Sequence, residues 1–191
     1  MISYEYEMRY LQAGVSALEE YLLSDEVYWQ IGIRAGSGEP PYPNLDLGNL
    51  LLSRVRAVAL SQHVGQDSRL AELEGELEAI RTRWRVAWER KAARCFAARL
   101  NLWRDYLEDY RRDATDNLDR YAYEVRHRVM LHLLQAEGGA IRPAEEHLLH
   151  ALDVLLEAVF IPGMFVWQIN LATGFPPKPY WYLWGKPRAE V

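Results

Sequence analysis

Ser68–Tyr110 reads SRLAELEGELEAIRTRWRVAWERKAARCFAARLNLWRDYLEDY, more than forty residues with no proline and a single glycine, Gly75. Leu70, Leu73, Leu77, Ile80, Trp84, Trp88, Cys95, Leu102 and Tyr106 recur every three to four residues, the spacing that lines one helical face, with gaps at Lys91 and Arg99. A second row, Phe96, Leu100, Trp103, Leu107 and Tyr110, opens beside it in the C-terminal half. Glutamates crowd the first turns and arginines follow, an order that suits the helix dipole and Glu-before-Arg pairing. The spacing predicts one long helix over about 68–110, central to the fold, with its second half apolar on two sides. Such a rod would span roughly 65 Å, whereas a compact chain of this length has a radius of gyration near ~16 Å. The helix therefore either bends near its Ala-rich centre or projects its first half, to be covered by the preceding helix or a second subunit. Projection and a homodimer are the expectation.

Working outward, Tyr4, Met8, Leu11, Val15, Leu18 and Leu22 form a first helical stripe. Glycines and prolines make 32–44 a loop. A second helix begins near Asn44 or Asp46, either able to cap it, and carries Leu47, Leu51, Val55 and Val58. The short link before Ser68 implies an antiparallel hairpin. Turn-formers at Asp113–Asn117 precede a helix from Leu118 to Ala136, stopped by Gly138 and Gly139. Pro143 opens another, with Leu148, Leu152, Leu155 and Val159 as its stripe. Pro162 and Gly163 end that helix, and a short one is expected from Met164 to about Ala172. Phe175–Pro179 is extended, and the aromatic run Tyr180–Trp184 is too apolar for a solvated tail. The expected architecture is all-α: an antiparallel bundle of five or six helices in one domain over 1–191, with an extended aromatic and proline-rich tail, 174–191, docked on it.

Composition narrows function. The chain has 191 residues, is 50% hydrophobic and 26% charged, and carries a net charge of −5, which argues against disorder and gives no global reason to expect nucleic acid. Cys95 is alone, so a reducing setting is simplest, and the acidic, aromatic start does not resemble a signal peptide. A cytoplasmic protein is expected. The best membrane candidate, between Leu148 and Ala172, is interrupted by Asp153, Glu157 and Pro162; each acid would cost roughly 3 kcal/mol at mid-bilayer.

Two constellations could carry chemistry. Glu146, His150, Asp153 and Glu157 share a helical face, with His147 nearby, and imidazole with carboxylates at such spacing could hold a divalent metal or relay a proton. Glu146, His150 and Asp153 are the candidate ligands, although a solvated polar stripe explains the pattern better and no glutamate precedes either histidine by three residues. The second is the basic section Arg81–Arg104, where Arg83, Arg90 and Arg94, beside Trp84 and Trp88, could bind phosphates and stack bases. Internal ion pairs explain it at least as well. His127 and His132 point in different directions and share no metal, His63 carries no motif, and Cys95 reads as a packed residue. No phosphate loop, paired-cysteine zinc spacing, nucleophile elbow or useful repeat is present, so no cofactor is implied. The expectation is a non-catalytic protein-interaction or scaffold protein, a homodimer or bound to a protein partner. A metal-binding bundle or metal-dependent enzyme, and a nucleic-acid binder, are the alternatives.

Overall fold

A computed structural model describes residues 2–64 and 67–189 and is mostly helical. Helix α1 (Tyr4–Leu23) starts where the Ser3 hydroxyl accepts from the Tyr6 amide at 3.1 Å, filling a donor that a first turn leaves open. Its stripe, Tyr4, Met8, Leu11, Val15, Leu18 and Leu22, is buried. At its other end the Lys91 ammonium donates to the carbonyls of Ser24 and Glu26, 2.8 Å each, a cation placed where the helix dipole is negative. The residues between Ser24 and Asp46 contain no helix, and Trp29 and Leu45 exchange backbone hydrogen bonds that close this long excursion. Tyr42 stacks on Tyr6, ring centroids 4.5 Å apart, so the Pro-rich loop is laid against α1. Helix α2 (Leu47–Ser61) is capped by Asp46, which accepts from the Asn49 amide at 3.0 Å.

The long helix is divided. Helix α3 spans Ser68–Arg83 and α4 spans Arg85–Arg112, with Trp84 between them at φ −109°, ψ 31°. The expected single rod over 68–110 is thus corrected to two segments joined by an offset, upstream of the Ala-rich centre. Helical bonding continues through it: the Trp84 amide donates to Ile80 and the Trp88 amide to Trp84, both 2.9 Å, so the chain does not reverse. The offset falls where the neighbours change. Leu70, Leu73 and Leu77 of α3 lie against Leu11 and Val15 of α1, and Glu74 pairs with Arg54 of α2 at 2.8 Å. That stripe needs no second subunit to cover it. From Trp88 onward both rows of α4 are buried apart from Leu102, and α4 packs against helix α7 (Arg126–Gln135), which also packs on α2. On the solvent side of α3, a methyl group at Gly75 would meet nothing within 4 Å. Gly75→Ala is expected to raise stability by about 0.5–1 kcal/mol, because alanine loses less backbone entropy in a helix interior; a thermal melt measures it.

The expected helix from Leu118 is also divided. Helix α5 (Ala114–Asn117), capped by Asp113, leads through a 3-10 turn at Leu118–Arg120 into α6 (Tyr121–Glu124) and then α7. Helix α8 (Pro143–Val159) begins with proline in its first turn and Glu145 accepting from the Arg142 amide at 3.0 Å. The largest correction follows it. Where a short helix was expected, β1 (Phe160–Phe165) pairs antiparallel with β2 (Trp184–Pro187), and Ile169–Gly174 is a 3-10 helix. The class is therefore mainly α with one two-stranded sheet, and the tail is only partly extended. Pro162 fits because both strands are edges and a missing amide there breaks little. Gly185 permits the pairing: at φ 144° a Cβ would sit 2.2 Å from the Ile161 carbonyl oxygen. Phe175, Tyr182 and Leu183 are fully buried, and the Tyr121 hydroxyl donates to the Tyr182 carbonyl at 2.6 Å. No helix of the described residues is long and apolar enough to cross a membrane.

Candidate functional site

The features that interrupt the regular pattern converge on one cleft of about 1220 Å³. Its walls come from Ile2 and Tyr6, the Pro40–Asn44 loop, Asn49, Leu52 and Arg56 of α2, Arg99 and Leu102 of α4, Ala122–Glu124, Arg126, His127 and Met130, and Val166–Gln168 with Leu171. Tyr6, Tyr28, Tyr42, Tyr123 and Trp167 give it aromatic sides, and three arginines face one glutamate among its charged lining residues.

Its floor is a chain of polar contacts. Arg99, one of the two gaps in the apolar stripe of α4, is 5% exposed and forms an ion pair with Asp46, which is fully buried. Asp46 also accepts from Asn49 Nδ2 at 2.7 Å, so the helix cap and the counter-ion are one carboxylate. Burial opposes the Arg99 charge, but Asp46 outweighs it and the guanidinium pKa is raised. The other guanidinium nitrogen lies 3.3 Å from His127 Nδ1. A guanidinium only donates, so Nδ1 accepts and the ring proton sits on Nε2, which faces Glu124 at 3.4 Å. Glu124 in turn takes the Arg120 guanidinium at 3.1 Å. Both ring nitrogens of His127 are thereby engaged.

Burial lowers the His127 pKa below 6.5, with Arg126 and Arg99 adding to the effect and Glu124 opposing it. The unfolded chain then binds a proton that the folded chain refuses, so His127 supports the fold above pH 6.5 and that support is lost as pH falls below it. Urea melts between about pH 7 and about pH 5 are expected to show a steeper loss in the wild type than in His127→Gln. The residual slope includes His132, whose pKa burial also lowers.

Two other arginines in the cleft are less committed. Arg56 lies 3.7 Å from Glu7, beyond hydrogen-bond length, and among the described residues its guanidinium makes no hydrogen bond. Glu7 instead accepts from the Ser53 hydroxyl at 2.5 Å. Burial raises the Glu7 pKa and lowers that of Arg56, so for both groups desolvation outweighs their mutual attraction. The Arg56 guanidinium lies over the Trp167 ring, 4.7 Å from its centroid. Arg126 stacks on Tyr123 at 3.3 Å and donates one long bond, 3.4 Å, to the Tyr123 carbonyl. Among the described residues it has no carboxylate within ion-pair distance, and burial lowers its pKa.

The residues singled out in the sequence lie elsewhere. Arg83 is exposed, 3.3 Å from Glu19, and stands over Trp84. Trp88 is 1% exposed and donates its indole N–H to Glu137 at 3.0 Å. Arg90 faces solvent, while Arg94 donates to the Asp25 carbonyl. None of these five lines the cleft. On α8, Glu146 and His150 are exposed, and Asp153 is held by Arg128 through two bonds of 2.7 and 2.8 Å. Among the described residues no group of three His, Cys, Asp or Glu side chains is placed to hold a metal ion. Cys95 is buried, its thiol pKa pushed up by burial, and it contacts the Tyr21 hydroxyl at 3.2 Å.

Sequence reasoning missed Arg56, Arg99, Arg126 and His127 as a group. One signal was present: Lys91 and Arg99, the two gaps in the α4 stripe, are 2% and 5% exposed, so a cation interrupting a long apolar row marked a buried charge needing a partner. Comparison with protein-family models, curated proteins and solved structures finds no match for this chain.

Proposed function

We propose that this chain is a non-catalytic binding protein whose arginine-lined cleft receives a segment of a protein partner. The observation that carries the reading is the state of Arg56 and Arg126: two cleft-lining guanidinium groups with donors that no carboxylate of the described residues satisfies. A buried or half-buried cation short of hydrogen-bond acceptors is costly, so such an arrangement makes sense where another molecule supplies them. The cleft's size agrees, since 1220 Å³ exceeds the roughly 300–1,000 Å³ usual for small-molecule sites. The non-catalytic part rests on the same geometry. Both ring nitrogens of His127 already face partners, Arg99 and Glu124, and Cys95 is buried with a raised pKa.

The test is selection of random peptides on the immobilised protein, followed by binding to two variants. Leu102 is 40% exposed and lines the cleft, so Leu102→Trp fills space without altering a charge; Val154, 51% exposed on α8, lies outside the cleft and Val154→Trp is its control. Selected peptides are expected to lose at least about tenfold in affinity for Leu102→Trp, the effect of about 1.4 kcal/mol, and to bind Val154→Trp as they bind wild type. Recovery of no peptide, or of peptides that bind Leu102→Trp unchanged, contradicts the reading.

A further inference from the structure

We infer that the segment received by the cleft is acidic, with carboxylates seated on Arg56 and Arg126. This rests on the binding reading above and names the chemistry of its partner. Each of the two guanidinium carbons lies over a ring, Arg56 4.7 Å from the Trp167 centroid and Arg126 3.3 Å from that of Tyr123. A ring under the guanidinium interacts with its charge and takes up none of its N–H donors as a hydrogen bond, so those donors remain to be matched by an acceptor. A planar fork matches a carboxylate by two parallel bonds, which a neutral amide cannot reproduce. The rings also fix the arginines in place before binding, so less side-chain freedom is lost when the acid arrives.

The neighbouring charges direct the anion to these two positions. Arg99 is held by Asp46, and Glu124 is taken up by Arg120 and His127, so that part of the floor is internally neutralised. Arg126 has no carboxylate partner among the described residues, and the nearest acid to Arg56, Glu7, is 3.7 Å away and bonded to Ser53. A polyanion such as nucleic acid is a poorer fit: the chain carries a net charge of −5 and would repel a long charged backbone outside the cleft, whereas a short acidic segment engages Arg56 and Arg126 alone.

The experiment uses the cleft-dependent peptides, those that lose affinity for Leu102→Trp. Their sequences are expected to be enriched in Asp and Glu, and synthetic copies with Glu→Gln and Asp→Asn are expected to bind at least about tenfold more weakly. Arg126→Gln is expected to weaken the parent peptide by a similar factor and to flatten its salt dependence. It breaks no ion pair among the described residues but removes the contacts with Tyr123, so its melt is compared with wild type before its affinity is read. Arg56→Gln leaves Glu7 buried without its cation, so its fold is checked by melting before its affinity is read. Inorganic phosphate and free glutamate are the small-anion controls, expected to compete only at concentrations far above the peptide. Cleft-dependent peptides that are neutral or basic, amide copies that bind equally well, or phosphate that displaces the peptide at its own concentration would each overturn the inference and leave the cleft's binding role standing. Peptides indifferent to Leu102→Trp would instead remove the binding reading itself.

Discussion

Asp46→Ala is expected to lower stability by about 3–5 kcal/mol, because it strands a buried arginine without its counter-ion. Arg99 is 5% exposed and Asp46 fully buried, so water cannot take the place of the lost carboxylate. The same substitution removes the cap of α2 and the acceptor of Asn49 Nδ2, adding about 1 kcal/mol of helix-end cost. A fall in Tm of roughly 10 °C or more follows for a chain of this size. The double variant Asp46→Ala with Arg99→Met separates the two contributions. With both members of the buried pair removed, it is expected to recover most of the loss while still lacking the cap. If the double variant is as unstable as Asp46→Ala alone, the ion pair is not the cause and the cap is.

Trp103→Ala is expected to be as damaging, about 3–5 kcal/mol, for a different reason. Trp103 is fully buried in the half of α4 that is apolar on two sides, stacked on Tyr106 with centroids 5.6 Å apart. Removing the ring leaves a cavity between α4 and its neighbours that the helices cannot close by relaxing. Its indole N–H has no hydrogen-bond partner among the described residues, so Trp103→Phe gives up volume but no bond. Urea melts are expected to place Trp103→Phe well above Trp103→Ala. Equal losses in the two variants would mean that the N–H is bonded after all.

The helices with uninterrupted apolar spacing were legible: Tyr4–Leu23, Leu47–Ser61 and Pro143–Val159 follow from the stripes and caps printed in the chain. The division at Trp84 was not, because residues on both sides keep the same period and only the identity of the neighbours changes. The β1–β2 pairing was illegible for a related reason. Phe160–Phe165 has no strand-like alternation, and its partner lies some twenty residues on, so only tertiary packing of Trp184–Pro187 decides its conformation. The cleft escaped for the opposite reason. Arg56 and Arg126 belong to no motif or charge run, and the cleft they share is walled by the loop 32–44 and by Val166–Leu171, neither of which has a local signature for where it folds. The denser basic run around Arg83, Arg90 and Arg94 is the stronger compositional signal, yet Glu19 and Asp25 serve two of its three arginines.

The most direct measurement of the cleft's role is hydrogen exchange, read by mass spectrometry on the protein alone and saturated with a selected peptide. Exchange is expected to slow across 40–49, 122–130 and 166–171, the segments that wall the cleft, and to stay unchanged along α8 and in the β1–β2 pair. Slowing confined to α8 or to the strand pair, with the cleft segments exchanging as before, would contradict the account.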